Sequence, residues 1–321
     1  MKTIAHGLLA IAALASASAF AQSFPSKPVR LVVPFPAGGG SDVIGRIVAQ
    51  KLGDRFGQQV VVDNRAGAGG SIGTEAVVKA APDGYTIVLA STSEIAINPG
   101  LYSKLSYDTV KDLAPVGMVA STPMVVIIHP SLPVKNVKDL TALAKAKPGE
   151  INVASAGTGT ITHLSGELFR SMVHVTWTHV PYKGAPPALT DLASGQVQVM
   201  FSSLPAAMAF IKSGRIKPIA VSSRARAGAL PEIPTVIEGG ISGYDVEYWY
   251  GIFAPAATPR DVLARLGDEV AAVIKLPDTI TNLANQGAAP GRLAQPQFAE
   301  FVKTEVAKWG GVVKSSGAKA D

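Results

Sequence analysis

The 321-residue sequence contains no cysteine. This excludes disulfide scaffolds, cysteine-based metal sites and thiol catalysis, so the fold depends on its apolar core. Aromatic residues make up only 6% of the chain, whereas hydrophobic residues of all kinds make up 47%. The core is therefore mainly aliphatic, which suits a sheet covered by helices.

Charge is sparse and dispersed. The formal net charge is +6, and no run of Lys or Arg and no basic stripe interleaved with aromatics is present. We therefore expect no nucleic-acid partner, and the mildly basic balance favours a small anionic ligand. None of the five histidines has a recognisable metal-binding spacing, so we expect neither a metal nor a cofactor.

Long apolar runs are also missing, except at the N-terminus. Lys2 precedes the uncharged stretch "GLLAIAALASASAF", which ends in Ala19-Phe20-Ala21. A positive start, a short apolar run and an A-x-A site are typical of a secretory signal peptide. We predict a signal peptide over residues 1–21, cleaved after Ala21, and export of the mature chain to the periplasm.

Strand-like and helix-like segments alternate along the rest of the chain. "VRLVVPF" leads into a helix predicted over residues 41–56, and "QQVVVD" follows as a second strand. A second series starts at "MVVIIHP", and two amphipathic helices are predicted to close the chain. Repeated β-α-β units indicate an α/β fold with mostly parallel sheets flanked by helices.

Two glycine-rich loops stand out, "PFPAGGGSD" and "ASAGTGTIT". Each follows a strand and leads into a helix, where backbone N–H groups and the helix dipole can hold an anion. Two such loops facing each other would form an anion-binding cleft at the carboxyl ends of the strands. The alternative is that both are merely tight connections.

Other glycine motifs match enzymes less well. The first loop has Val43 where a dinucleotide fingerprint needs its third glycine, and no glycine loop carries the lysine of a P-loop. "GGSIG" does match G-x-S-x-G with Ser71 as nucleophile. A secreted serine hydrolase is therefore an alternative, with its acid and base drawn from Asp139 or Asp191 and from His163 or His179.

The mature chain resembles, nearly end to end, the Bug/TctC-like extracytoplasmic solute receptors of the tripartite tricarboxylate transporters. Seven segments carry the resemblance in family order: "PSKPVRLVVPFPAGGGSDVIGR", "VVVDNRAGAGGSIG", "APDGYTIVLAS", "ASAGTGTITHLSGELF", "HVPYKGAPPALTDLASGQV", "LPEIPTVIEGG" and "WYGIFAPAATP".

The resemblance implies a two-domain, type II periplasmic-binding-protein fold with the ligand cleft between the domains. Domain one is expected over residues 22–121 and 223–321, and domain two over residues 122–222. Such a receptor is a monomer without catalytic activity. It would close around a small carboxylated solute, such as citrate, a dicarboxylate or an aromatic carboxylate, and deliver it to membrane permease subunits. A ligand sensor that signals to a sensor kinase is the alternative role.

The resemblance also assigns ligand-binding residues. In domain one these are Pro36, Ala37, Gly38, Gly39, Ser41, Asp42, Ser91 and Thr92, and in domain two Ser155, Gly157, Thr158 and His163. Two open questions are whether Asp42 contacts ligand or caps its own helix, and whether His163 contacts ligand or only packs. Gln198, Ser202 and Ser203 stand where many relatives carry acidic or amide residues, which disfavours an amino-acid ligand.

Overall fold

In the computed structural model the described residues are 24–316 and 318. The predicted signal peptide and its cleavage site lie outside them. Within the described part of the chain, no helix has both the length and the apolar character that a membrane span needs.

Three parallel strands begin the fold: β1 (Val29–Val33), β2 (Val60–Asn64) and β3 (Thr86–Ser91), in the order β2-β1-β3. β1 and β3 are buried aliphatic runs, as expected of parallel strands covered on both faces. β9 (Glu247–Pro255) joins them antiparallel to β3.

One long strand, β4 (Leu113–Ile128), runs through both halves of the molecule. Its residues 113–123 pair with β9, and its residues 124–128 pair with β7 (Val199–Ser203) and β8 (Lys217–Val221). The other strands are β5 (Asn152–Ser155), β6 (Thr178–Pro181) and β10 (Ala289–Pro290). β5 is parallel to both β6 and β7, and β10 pairs with β4.

The change of partners along β4 divides the molecule into two lobes. The first lobe contains β1–β3, β9, β10 and residues 113–123; the second contains residues 124–128 and β5–β8.

The helices are α1 (Gly40–Phe56), α2 (Ser71–Val78), α3 (Asn98–Leu101), α4 (Val137–Ala146), α5 (Ile161–Val173), α6 (Ala185–Ala193), α7 (Leu204–Lys212), α8 (Arg260–Val273), α9 (Pro277–Asn285) and α10 (Gln295–Ser316). A short 3-10 turn (Ala68–Gly70) precedes α2, and a π-helical segment (Ser93–Ile97) joins β3 to α3.

Helix α1 shows how the sequence produces these elements. Ile44, Val48 and Leu52 recur at four-residue spacing and are fully buried on one face, which contributes roughly 1.5–3 kcal/mol each. The helix ends at Gly57, whose φ of 64° is the left-handed cap that glycine adopts without strain.

The predicted α/β class is confirmed, with parallel strands in each lobe and antiparallel strands where the chain crosses between them. The prediction of two closing helices is wrong. Three follow β9 in the described residues, α8, α9 and α10. Pro277 stands in the first turn of α9, where its ring starts a new helix but could not continue the preceding one.

Two glycines of the second lobe lie close against the first lobe. Gly159 and Gly184 have φ values of 76° and 116°, which disfavour residues with a side chain. A Cβ at Gly159 would clash with Leu101 of α3, and one at Gly184 would lie 2.6 Å from Pro36. Glycine thus permits both the loop conformation and the contact between the lobes.

Candidate functional site

A small cavity of about 30 Å³ lies between the lobes, beside the N-terminus of α1. We call it the inner cavity; it has room for a few water-sized groups. Its lining comes from both lobes: Phe35, Gly39, Gly40, Ser41, Ser93, Ala156, Thr160, Ile161, Thr162, Ala185, Ser203 and Tyr248.

Four helix N-termini contribute to this lining. Gly40 and Ser41 begin α1, Ile161 and Thr162 begin α5, Ala185 begins α6, and Ser203 immediately precedes α7. Each N-terminus carries a partial positive charge and N–H groups that have no partner within the helix. No residue of the lining carries a charged side chain. The inner cavity therefore favours an anion through backbone dipoles alone.

Hydroxyl groups supply most of the polar side chains of the lining. Ser41 and Ser93 lie within hydrogen-bonding reach of the Tyr248 hydroxyl. Behind Gly40, the Tyr250 hydroxyl is buried and has no hydrogen-bond partner of good geometry among the described residues. Hydroxyls can both donate and accept, so this wall can adapt to the protons of a bound group.

The first glycine loop is held in place by Asp42. Its carboxylate accepts hydrogen bonds from the Gly38 N–H at 2.9 Å, from Arg46 Nε at 3.0 Å and from Asn64 Nδ2 at 3.0 Å. Burial disfavours the charged form, but these hydrogen bonds outweigh it and lower the pKa of Asp42. Asn64 also donates to the carbonyl of Phe35. Asp42 therefore fixes the loop that shapes the inner cavity, through bonds within its own lobe.

The second glycine loop is closed by its own hydroxyls. Thr162 Oγ1 accepts from the Ala156 N–H at 2.8 Å and lies 2.7 Å from Thr160 Oγ1, which donates to the Gly157 carbonyl at 2.7 Å. Ser155 Oγ accepts from the Gly157 N–H at 3.2 Å. Three backbone groups of the loop are thus satisfied by side chains.

His163 and His179 stack behind this loop, with ring centroids 3.9 Å apart. His163 Nδ1 accepts from the Gly159 N–H, and His179 Nε2 lies 2.7 Å from Ser155 Oγ. Burial, with a smaller contribution from His179, lowers the pKa of His163 to about 4, and burial lowers the pKa of His179. Both rings are therefore neutral at pH 7, and neither offers a cation to an anionic ligand.

A second, larger cavity of about 580 Å³ opens beside the first and shares Phe35 and Ala156 with it. We call it the outer cleft. Its walls are Phe35, Pro36, residues 66–70, Tyr102, residues 156–158 and residues 181–184. These residues combine aromatic rings, glycine backbone and the single ammonium group of Lys183. The outer cleft can hold the body of a small organic molecule whose anionic end lies in the inner cavity.

The residues predicted to bind ligand fall into three groups. Pro36, Gly39, Ser41, Gly157 and Thr158 line the inner cavity or the outer cleft. Ala37 and Gly38 are exposed next to them on the first loop. Asp42, Ser91, Thr92, Ser155 and His163 are not in either lining, and their side chains bond to protein groups.

Sequence reasoning missed several lining residues, notably Phe35, Gly40, Ser93, Thr160 and Tyr248. The first two flank predicted residues in the same loop, and Thr160 precedes a helix start, so the loop motifs contained a signal for them. Ser93 directly follows the predicted Thr92. Tyr248 carried no such signal, because β9 reaches the cavity only through its pairing with β3 and β4.

The alternative hydrolase groups are not assembled. Ser71 Oγ donates to the Ala68 carbonyl at 2.7 Å, and His163 and His179 bond within the second lobe. Asp139 and Asp191 bond to the Lys135 N–H and the Tyr182 hydroxyl. Among the described residues, none of these candidate groups hydrogen-bonds another.

The comparisons with known proteins agree on one family. The family described as "Tripartite tricarboxylate transporter family receptor" (TctC) matches residues 44–318. The chain is 36% identical over 314 residues to protein BugT of Bordetella pertussis, covering 98% of this chain and 96% of BugT.

Three solved structures are similar in fold and sequence. They are Rpa4515 of R. palustris with adipate (TM-score 0.90, 36% identity, 92% and 99% of the two chains), the periplasmic binding protein BugD (0.88, 34%, 92% and 99%) and MatC of Rhodopseudomonas palustris with bound malate (0.86, 31%, 90% and 100%).

Proposed function

Because the chain belongs to the TctC family of tripartite tricarboxylate transporter receptors, we propose that its inner cavity binds one carboxylate group of a small organic acid. The observation that carries this proposal is the convergence of four helix N-termini on a cavity without charged side chains. Such a site stabilises an anion without a buried cation. The solute would be bound and released chemically unchanged.

The rest of the ligand would lie in the outer cleft. Phe35, Tyr102 and Tyr182 can cover an apolar carbon chain or ring, and Lys183 together with the amides of residues 67–69 can meet a second polar end. Adipate and malate, the acids bound by two similar proteins, have this form. We therefore propose a dicarboxylate, or a carboxylate of similar length, as ligand.

The proposed site also supports a role in transport. We propose that the lobes are the predicted domains, 22–121 with 223–321 and 122–222. The exchange of strand partners along β4, close to the first predicted boundary, supports this. Closure of the lobes around ligand would present a closed surface to the permease subunits. We propose that the exported chain acts as a monomer in the periplasm.

Thermal unfolding of the mature protein with adipate, malate, citrate and aromatic carboxylates tests this function. A ligand at a hundredfold excess over its Kd adds about 2.7 kcal/mol to the free energy of unfolding, which raises Tm by several degrees. No shift with any carboxylate would contradict the proposal.

Gly40→Ala tests the position of the site. A Cβ at Gly40 would clash with Ser203 of the cavity lining and lie 2.8 Å from the Tyr250 hydroxyl, so it would displace one wall of the inner cavity. We expect the ligand-induced shift to disappear while the fold survives. Gly53→Ala is the control, because on the same helix its Cβ meets nothing closer than 3.4 Å. An unchanged shift in Gly40→Ala would place the carboxylate elsewhere.

A further inference from the structure

A buried carboxylic acid lies directly behind the inner cavity. Glu94 is the second residue of the π-helical segment and is 0% exposed. Its Oε1 accepts from the Ser91 N–H at 2.9 Å, and its Oε2 lies 2.6 Å from Ser91 Oγ. No cation pairs with it among the described residues. A buried, unpaired carboxylate is costly unless it can bind a proton.

The titratable groups that face Glu94 are tyrosines. Tyr107 donates to its backbone carbonyl at 3.0 Å. Burial, with a smaller contribution from the charge of Glu94, raises the pKa of Tyr107, Tyr248 and Tyr250. Burial raises the pKa of Glu94 itself to about 7, although the hydrogen bonds from Ser91 oppose the shift.

The charged groups of the helices packed nearby are mostly paired with one another. On α10, Glu305 pairs with Lys308 and Glu300 with Lys303; on α5, Glu167 pairs with Arg170; Lys314 of α10 is exposed. His163 of α5 is the other titratable group there, and burial keeps it neutral at pH 7. Protonation of Glu94 is therefore governed by its burial and by the hydroxyls around it.

Ser91 connects Glu94 to the inner cavity. Ser91 Oγ lies 2.9 Å from the Tyr248 hydroxyl, and Tyr248 is part of the cavity lining. When Glu94 is ionised, Ser91 donates to Oε2, so Tyr248 must donate to Ser91 and turns a lone pair toward the cavity. When Oε2 carries a proton, it donates to Ser91, Ser91 donates to Tyr248, and the Tyr248 proton is free to point into the cavity.

We propose that Glu94 binds a proton together with each carboxylate ligand, because only protonated Glu94 lets Tyr248 donate a hydrogen bond to that carboxylate. This inference rests on the proposed function and assigns Glu94 as a positioning residue of the same site. Charge acts in the same direction as the hydroxyl chain, since an ionised Glu94 would repel a carboxylate held behind the same wall. One proton is taken up per ligand, and no bond of the ligand changes.

Calorimetric titration with adipate, and with malate as a second probe, tests this coupling. Between pH 7.5 and 9 we expect the Kd to rise about tenfold per pH unit, as uptake of one proton requires. The binding enthalpy should differ between phosphate and Tris buffers by the amount that corresponds to nearly one proton. A flat Kd and a buffer-independent enthalpy in a protein that binds either acid would overturn the coupling and leave the proposed function standing.

Three variants separate the hydrogen-bond chain from Glu94 through Ser91 to Tyr248, here called the relay, from general effects of mutation. Glu94→Gln carries an amide that can donate to Ser91 permanently, so we expect no proton uptake and, at pH 8.5, the affinity that the wild type has at pH 6.5. Ser91→Ala breaks the hydroxyl chain and should weaken the dependence on pH, leaving only the part that comes from direct repulsion between ionised Glu94 and the ligand. Glu305→Gln, a second buried glutamate in the first lobe, should keep it. Persistence of the pH dependence in Glu94→Gln would overturn the proposal.

If neither acid binds, the proposed function fails. The hydrogen-bond chain from Glu94 through Ser91 to Tyr248 can still be tested without ligand. Carbon-13 NMR of the free protein should show the Tyr248 Cζ resonance shifting together with the Glu94 carboxyl titration. In Ser91→Ala, Glu94 should still titrate while Tyr248 Cζ no longer follows it. A Tyr248 resonance that ignores Glu94 in the wild type would overturn the relay.

Discussion

At the scale of single residues, the site depends on side chains that do not touch its cavity. Asp42 gathers the Gly38 N–H, Arg46 and Asn64 around one buried carboxylate. The sequence pattern left open whether Asp42 caps its helix or binds ligand. Both carboxylate oxygens are occupied by protein donors, and the backbone N–H among them belongs to Gly38, before the helix begins, so Asp42 holds the loop and does not cap an N–H group of its helix.

Replacing Asp42 by Asn should destabilise the protein at pH 7 by about 1–3 kcal/mol, because three donors lose a charged acceptor. Hydrogen bonding lowers the pKa of Asp42 in the folded state, so its stabilisation is present above the pKa of the unfolded chain. That contribution is lost as the pH falls below the ordinary aspartate value of about 4. Urea denaturation at pH 7 and pH 3 measures the difference.

Asp54→Asn is the matched control on the same helix, since that side chain is 67% exposed and should change stability by less than about 0.5 kcal/mol. An Asp42→Asn variant that is equally destabilised at both pH values would show that packing, rather than charge, is responsible.

At the scale of elements, α10 holds β9, the strand that carries Tyr248, in place in the first lobe. Glu305 Oε2 accepts hydrogen bonds at 3.0 Å from the indole N–H groups of Trp249 and Trp309. Trp249 belongs to β9 beside Tyr248, so α10 is bonded directly to the strand that carries a cavity hydroxyl. Trp249 also packs edge-on against Phe298 of α10. Helix and strand are thus fixed together by both packing and a buried acceptor.

Glu305→Ala should lower the free energy of unfolding by about 2–5 kcal/mol, because two buried indole N–H groups would lose their acceptor. Chemical denaturation of wild type and variant measures this. Lys303→Ala on the exposed side of α10, where the ion pair with Glu300 lies in solvent, should cost no more than about 1 kcal/mol. Equal losses for the two substitutions would contradict the assigned role of Glu305.

At the scale of the whole molecule, contacts across the two lobes define a closed arrangement. The Ile161 N–H at the start of α5 donates to Ser93 Oγ at 3.1 Å, and Leu101 and Pro36 of the first lobe meet Gly159 and Gly184 of the second. The inner cavity owes its small size to this approach. Ligand entry therefore requires the lobes to separate.

Gly159→Ala should prevent full closure, because its Cβ would clash with Leu101. Gly149→Ala is the matched control: its φ of 80° is close to the 76° of Gly159, but a Cβ there meets nothing within 4 Å. Small-angle X-ray scattering with saturating adipate should show a decreased radius of gyration for wild type and Gly149→Ala only. A Gly159→Ala variant that contracts like the wild type would show that closure tolerates this contact.

Much of the fold could be predicted from local patterns. Burial of β1 and β3 follows from their continuous aliphatic runs, and α1 from its four-residue apolar spacing, because each periodicity reflects the geometry of a single element. The third closing helix was missed because the break at Pro277 was not recognised inside an amphipathic region. Gly39, Ser41, Gly157 and Thr158, which line the cavity or the cleft, were assigned through the family resemblance of the two glycine loops.

The sequence by itself therefore determined the α/β class, the family and the two loops that line the inner cavity and the outer cleft. Only the tertiary structure decided that Ser93, Ser203 and Tyr248 meet Gly40 at one cavity, and that Glu94 is buried behind it. Hydrophobic periodicity records which face of one element is covered. The cavity, in contrast, is made by strand pairing and lobe contact between residues far apart in the chain, and no local pattern encodes that proximity.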